Sequence, residues 1–266
     1  MKIKDKVIVV TGGGSGMGRE LALQLLSRGA KVAIADINEQ GMKETAALAG
    51  DLSSNLSIHL LNIADKEKVA AFPQVVIDRH GAVDGIINNA GIIQPFIDVN
   101  DLDFERIERI LQVNFYGTLY MVKAFLPHLL QRPEAHIANV SSMGGFIPFP
   151  GQTFYGASKA AVKLLSEGLF AELQHTNVHV TVIFPGAVNT NITTNSGVAM
   201  SNTGNTEDFP GLQPDEAARI MIDGIESDKF RVLAGKDARF LDFMYRLSPK
   251  RAVRFIVKQM KSRLAS

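Results

Sequence analysis

Val7-Ile-Val-Val-Thr11-Gly-Gly-Gly-Ser-Gly-Met-Gly18 is a short apolar run that breaks into a glycine-rich turn, and the helical stretch Arg19–Ser27 follows at once. A continuous Val/Ile run of this length suits a strand buried on both faces, as in a parallel sheet. Glycines after it allow a tight turn and a close approach of the backbone to a ligand. The helix start then offers unpaired N–H groups and the positive end of its dipole to a phosphate. Spacing narrows the choice of nucleotide fold. The GxGxxG pattern fails in every register, because Met17 or Arg19 stands where its last glycine belongs. A P-loop would need Lys and then Ser or Thr after Gly18 and finds Arg19-Glu20. Gly12-x-x-x-Gly16-x-Gly18 is what remains.

Further runs of the same kind recur along the chain: Lys31–Ala35, Ser57–Leu61, Gly85–Asn88, His136–Val140, Val178–Phe184 and Arg231–Ala234. Stretches of helical periodicity separate them, among them Leu102–Leu130, which Pro127 is expected to interrupt. Strand–helix alternation of this regularity predicts an α/β fold: a doubly wound Rossmann-type sheet of about seven parallel strands, helices on both faces. The division expected is a catalytic domain over 1–235, including a lid at 189–213, and a helical extension over 236–266. The lid is expected because 14 of the 18 residues from Asn189 to Thr206 are Asn, Thr, Ser or Gly, a loop-forming composition.

Composition removes several classes of function. Of 266 residues, 46% are hydrophobic and none is Cys or Trp. Disulfides, thiol nucleophiles and zinc ribbons are therefore excluded, and the fold must rest on its core. A net charge of +1 gives no overall reason to expect nucleic acid. Met1–Val10 runs from charges into four apolar residues, too few for a signal peptide. No stretch of about 18 uncharged apolar residues occurs, so a cytoplasmic protein is expected. His175 and His179 lie four apart without an obvious third ligand, and no metal is expected.

The second strand ends at Asp36, eighteen residues after Gly18. An acid at that distance is placed to accept hydrogen bonds from the ribose hydroxyls of a dinucleotide, or else to cap the next helix. It would also repel a 2′-phosphate, at a cost on the order of 4 kcal/mol for two unit charges about 4 Å apart. Ile37 and Asn38, not Arg, follow it, so NAD is expected ahead of NADP. Tyr155-Gly-Ala-Ser-Lys159 opens a helical run and puts the phenol and ammonium on one face. A tyrosine titrates near 10, and bringing it to neutrality takes roughly 4 kcal/mol of preference for the phenolate. A lysine about 4 Å away supplies that order of energy. Asn139-Val-Ser-Ser142 and Asn88-Asn-Ala-Gly91 end two strands at one sheet edge, where ligands of open α/β sheets bind. Asn114 is a polar residue amid an apolar helix and needs a buried partner.

Together these residues resemble the short-chain dehydrogenase/reductases of the compact single-domain kind. The match runs from about Lys6 to Gly235 and joins Thr-Gly-x-x-x-Gly-x-Gly, Asn-Asn-Ala-Gly, Asn114, Ser142, Tyr-x-x-x-Lys and Pro185-Gly-Ala-Val-Asn-Thr190 in family order. The resemblance implies an NAD(P)-dependent oxidoreductase moving hydride between a nicotinamide and a secondary alcohol or ketone. Tyr155 would exchange a proton with the substrate oxygen and Ser142, rather than Ser141, would hydrogen-bond it. Lys159 would acidify Tyr155 and hold the nicotinamide ribose, and Asn114 would position a water in a relay. Cofactor contacts are expected from Gly12, Ser15, Gly16, Met17, Gly18, Asp36 and Ile37. Asn62 and Ile63, with Asn where the family usually has Asp, would flank adenine. Asn89, Ala90 and Gly91 would join them, with Tyr155, Lys159, Pro185, Gly186, Val188 and Thr190 around the nicotinamide. Gln94, Met143, Phe146, Gln152 and Ala187 would line an apolar and amide-bearing substrate pocket. An uncharged, lipophilic alcohol or ketone is therefore expected rather than a phosphate or CoA thioester. The other class of function compatible with these residues is an idle nucleotide-binding scaffold. A homodimer or homotetramer is implied as well.

From Phe243 onward there are seven basic residues and no acidic one, while the rest carries 21 basic against 27 acidic. As a helix from Pro249, the tail puts Val253, Ile256, Val257, Met260 and Leu264 on one face and Arg251, Arg254, Lys258 and Lys261 on another. That face either packs on this subunit or a partner subunit, or 249–264 lies on an anionic membrane surface.

Overall fold

The computed structural model describes residues 1–190, 192–198 and 211–264, with side chains of the last helix described to Met260. Seven strands, β1 (Val7–Thr11), β2 (Lys31–Asp36), β3 (Leu56–Leu60), β4 (Gly85–Asn88), β5 (Ala135–Val140), β6 (Val178–Pro185) and β7 (Arg231–Ala234), form one sheet. Every pairing is parallel, in the order β3-β2-β1-β4-β5-β6-β7. The expected doubly wound α/β sheet is therefore the fold, and the expected strands all occur, most with ends shifted by a residue.

Alternation along the strands divides the core in two. Ile8, Val10, Val32 and Ile34 face one side, where α1 (Gly16–Ser27), α2 (Glu39–Leu48) and, further along the chain, α8 (Pro214–Glu226) supply Leu21, Leu25, Met42 and Met221. Val7, Val9, Ala33 and Ala35 face the other, covered by α3 (Lys66–His80), α5 (Thr118–Leu129) and α6 (Thr153–Glu172). Each fully buried Val, Leu, Ile or Phe contributes about 1.5–3 kcal/mol, so the two layers hold the sheet without disulfides. β3, at the sheet edge, leaves Leu60 65% exposed.

The expected break at Pro127 is not found. α4 (Phe104–Leu111) runs through a π-helical segment, Gln112–Gly117, into α5, and Pro127 lies in the last turn of α5, where its missing N–H costs one helical bond and only two residues of helix follow it. Asn114 sits within that π segment. After β6 comes a helical turn, α7 (Ile192–Asn195); residues 191 and 199–210 of the expected lid lie outside the described residues. The chain ends in α9 (Lys236–Leu247) and α10 (Pro249–Leu264). Ala252 and Ile256 of α10 are buried with Leu241 and Ile147, and Met260 packs against them, so Ile256 and Met260 of the expected apolar face pack on their own subunit; the side chain of Leu264 lies outside the described residues.

Candidate active site

The sheet order reverses between β1 and β4, and a crevice opens there beyond the carboxyl ends of the strands. The cleft has a volume of about 490 Å³. Its floor is the glycine turn: Gly12, Ser15, Gly16, Met17 and Gly18 all line it. Gly12 and Gly16 have φ of 74° and 51°, in the left-handed region that favours glycine. A Cβ on Gly18 would collide with the Gly12 carbonyl, which explains the third glycine as helix-to-turn packing. Ser15 precedes α1 without capping it by its side chain, so the first N–H groups of the helix face the cleft without a side-chain partner.

Asp36 and Ile37 border the cleft at the end of β2. Asp36 accepts from the Gly14 N–H at 2.9 Å and from the Asn38 N–H at 2.9 Å. The cap of α2 is Asn38, whose side chain accepts from Gly41 N–H at 2.9 Å, so Asp36 is not the helix cap. Leu61, Asn62, Ile63 and Ala64 form the next wall, opposite Arg109, Gln112 and Val113. Asn62 Oδ1 accepts from the Ala64 N–H at 3.0 Å.

Asn89, Ala90 and Gly91 close the inner end of the cleft. Thr11 fixes them, its hydroxyl accepting from the N–H groups of Asn89 and Ala90 at 3.0 Å each. Asn89 Nδ2 donates to the Thr11 carbonyl at 3.0 Å, but its buried Oδ1 has no partner. A buried amide oxygen without a donor, beside a glycine cradle and a helix start, fits a ligand that brings both phosphate and hydrogen-bond donors. A dinucleotide is such a ligand.

Immediately behind Gly91 stand the residues with chemistry. A Cβ on Gly91 would lie 3.1 Å from Lys159 Nζ and 3.2 Å from Asn114 Oδ1, so these two approach the cleft only because residue 91 has no side chain. Asn114 is fully buried and clips the loop after β4 to the helices. Its Oδ1 accepts from the Ile92 N–H at 2.8 Å, and its Nδ2 donates to the Ile92 carbonyl and to Ser158 Oγ, both at 2.9 Å. Ser158 Oγ in turn donates to the Tyr155 carbonyl at 2.7 Å. Sequence reasoning missed Ser158, although a serine three residues past Tyr155 in a helix can reach back to that carbonyl.

Tyr155 and Lys159 lie on the first turns of α6, and Ser142 ends the strand-to-helix turn after β5. A Cβ on Gly144 would lie 3.4 Å from the Tyr155 ring and 3.5 Å from Ser142 Oγ, which places phenol and serine side by side. Lys159 is 4% exposed, and its ammonium donates to the Val140 carbonyl at 2.9 Å. Ser141 is turned inward and donates to the Lys159 carbonyl at 2.7 Å, leaving Ser142 as the serine beside Tyr155.

Lys159 is expected to acidify Tyr155 together with the charge of an oxidised nicotinamide ring; in the chain by itself, burial sets the direction for both groups. Burial pushes the phenol above the ordinary tyrosine value, offset in part by its hydrogen bond with Ser142. Burial also pulls Lys159 down, to about 8. Desolvation is the leading cause for both groups, because each charged form loses water on burial.

The expected substrate wall divides. Gln94 is fully buried; its Oε1 accepts from Phe154 N–H at 2.8 Å and Tyr155 N–H at 3.0 Å, and its Nε2 donates to the Gly151 carbonyl at 2.7 Å. Gln152, also buried, donates to the Gln94 carbonyl at 2.8 Å. The Gln94 amide is taken up in capping α6, and Gln152 braces that cap through its Nε2. Met143 and Phe146 are half-buried against α9 and α10. Ala187 is exposed, its N–H held by Asp237 at 2.7 Å. Thr190 reaches the cleft, whereas Pro185, Gly186 and Val188 stand off it; Pro185 ends β6, and Val188 bridges to Leu212. The described part of the lid spans the cleft: Asn195 Nδ2 donates to Ser15 Oγ at 3.0 Å, and Ser196 Oγ accepts from the Ile93 N–H at 3.0 Å.

Comparison with known proteins agrees with this geometry. Residues 6–200 match the family model described as short chain dehydrogenase. The chain is 37% identical over 253 residues to the protein named "Putative oxidoreductase SadH" of Mycobacterium tuberculosis, covering 92% of this chain and 91% of that one. A short-chain dehydrogenase/reductase from Burkholderia phymatum, solved in complex with NAD, superposes with a TM-score of 0.81 at 25% identity, covering 88% of this chain and 90% of that one. A short-chain dehydrogenase from Burkholderia cenocepacia J2315, solved with NADP, gives 0.81 at 26% identity over 96% of this chain and 99% of that one. With its sheet order, glycine turn and Ser–Tyr–Lys grouping, the chain belongs to the short-chain dehydrogenase/reductase family of oxidoreductases.

Proposed function

We propose that the protein catalyses hydride transfer between NAD and an uncharged secondary alcohol or its ketone. The observation that carries this reading is Lys159: a buried ammonium with no carboxylate partner among the described residues, one helical turn from a half-buried phenol and behind the glycine that ends the cleft. Isolated buried charges are costly and concentrate where function needs them. Gly12, Ser15, Gly16, Met17 and Gly18 would hold the pyrophosphate, Asp36 the adenosine ribose, and Asn62 with Ile63 the adenine. When bound, the nicotinamide supplies or accepts the hydride.

The chain's own residues then have distinct tasks. In alcohol oxidation Tyr155 takes the hydroxyl proton, and in ketone reduction it donates one; Ser142 hydrogen-bonds the same substrate oxygen. Lys159 holds positive charge beside the cofactor ribose and Tyr155. Bringing a cationic ring close favours the phenolate, which the protein alone does not. Asn114 fixes the loop that carries Gly91 and would position a water that continues the proton relay from Lys159. The carboxylate of Asp36 favours NAD over NADP by repelling a 2′-phosphate. Half-buried Met143 and Phe146, packed among apolar side chains, favour an uncharged, apolar substrate.

The test is a screen of secondary alcohols with NAD, followed by Tyr155→Phe on the best substrate. A loss in kcat of about 10²–10⁴ is expected, the range of general acid–base catalysis, with NAD affinity changed only a few-fold. An unchanged kcat would remove the proton-transfer role, and no turnover by the wild type would favour the idle-scaffold reading.

A further inference from the structure

The packing of α10 leaves a different surface unexplained. α9 buries Ala238 and Leu241 inward, and its outer face consists of Lys236, Arg239, Phe240, Phe243, Arg246 and Leu247. Every one of these is basic or large and apolar. Phe240, Phe243 and Leu247 are 51%, 62% and 70% exposed, and their spacing of three and four residues makes them one stripe. Phe240 meets Phe255 of α10 edge-on at 5.8 Å, so the stripe borders the seam between the two helices.

The charges are as one-sided as the apolar groups. Lys236, Arg239, Lys250, Arg251, Arg254 and Lys258 are exposed and have no acidic partner among the described residues. The two acids of this helical pair are engaged elsewhere. Asp237 accepts from the Ala187 N–H at 2.7 Å, and Asp242, 9% exposed, pairs with Arg231 at 3.0 Å and Arg246 at 2.9 Å. The rest of the chain is net acidic, which favours turning this face toward an anionic surface.

We infer that the α9–α10 hairpin docks on an anionic phospholipid surface, with Phe240, Phe243 and Leu247 entering the headgroup layer and the six cations facing lipid phosphates. Exposed aromatics interleaved with Lys and Arg on a helix face are the chemistry of interfacial binding. A second copy fits this face less well, because a two-fold contact would bring like charges together. A nucleic acid would leave the apolar stripe without a partner. The hairpin lies on the surface and does not span it: no helix among the described residues is long and apolar enough to cross a membrane. The inference does not depend on the chemistry proposed for the cleft.

The experiment is co-sedimentation of the full-length protein with vesicles of phosphatidylcholine alone and of phosphatidylcholine with roughly a third phosphatidylserine. Binding is expected only to the anionic vesicles, falling at least tenfold between about 0.1 M and 0.5 M salt as screening shortens. Phe243→Ser with Leu247→Ser should weaken it tenfold or more, and Lys250→Glu with Arg254→Glu should abolish it. All four positions are exposed, so circular dichroism and thermal midpoint should stay at wild-type values. Failure to bind anionic vesicles, or binding untouched by both double variants, would overturn the inference. So would dissociation of an oligomer in the Phe243→Ser, Leu247→Ser variant, seen by sedimentation velocity, which would assign the face to a second copy. Binding to heparin as tight as to vesicles and indifferent to Phe243 and Leu247 would assign it to a polyanion instead.

Discussion

Lys159 is where the physical cost of the site is concentrated. An ammonium 4% exposed, with a single carbonyl contact, is held down to about 8 by burial. Below pH 8 it is protonated in both folded and unfolded chains, and burying the charge costs on the order of 3 kcal/mol by the size of the shift. Between about 8 and the unfolded value near 10.4, the unfolded state binds more protons, so the stability contributed by this residue rises with pH. Lys159→Met, which keeps the apolar stem, should therefore raise the thermal midpoint at pH 7. That gain should shrink as pH climbs from 8 to 10, while kcat falls by about 10² or more. Thermal melts across that range check the sign; a variant less stable at pH 7 would mean the lysine is a strut. Tyr155 was legible in the sequence as its partner, but the balance of their titration was not, because desolvation depends on everything packed around them.

At the scale of elements, two local devices aim the site. The first is the Gln94 amide at the start of α6, which receives the N–H groups of Phe154 and Tyr155 and returns a bond to the Gly151 carbonyl. It ties the loop after β4 to the helix that carries Tyr155. Gln94→Leu leaves those three buried groups unpaired, at about 1–3 kcal/mol each before relaxation. A stability loss of roughly 2–5 kcal/mol is expected by urea denaturation. In variant that remains folded, kcat should fall while the KM for NAD stays within a few-fold. A fall in kcat joined by a large rise in the KM for NAD would point to general loosening. The second device is the π-helical turn around Asn114, which redirects that side chain to clip Ile92. From spacing alone, Gln94 reads as a pocket residue and the π turn reads as ordinary helix. Both depend on contacts with residues far away in the chain.

For the whole molecule, the sheet order β3-β2-β1-β4-β5-β6-β7 brings the glycine turn, Asp36, the Asn89–Gly91 loop and Thr190 around one crevice at the switch point. A ligand that binds only the folded crevice stabilises the entire domain. NAD at a hundredfold excess over its Kd should add about 2.7 kcal/mol, read as a rise in thermal midpoint. NADP at the same concentration should give a smaller rise, and Asp36→Ser should narrow the gap between the two. Equal shifts in the wild type would count against the role given to Asp36.

Continuous apolar runs, glycine spacing and the order of strand and helix determined the sheet and the turn, and motif order pointed to Ser142, Tyr155 and Lys159. These are local patterns, fixed by backbone geometry and by which side chains can share a face. Tertiary structure alone decided that Asn38 caps α2 in place of Asp36, that Gln94 and Gln152 serve α6, and that α10 covers Ile147 while α9 keeps its phenylalanines outside. Hydrogen-bond partners and burial are properties of the packed surface. A single side chain's type does not contain them, since an amide satisfies its donors and acceptors equally well against a ligand or against a distant turn of the same chain.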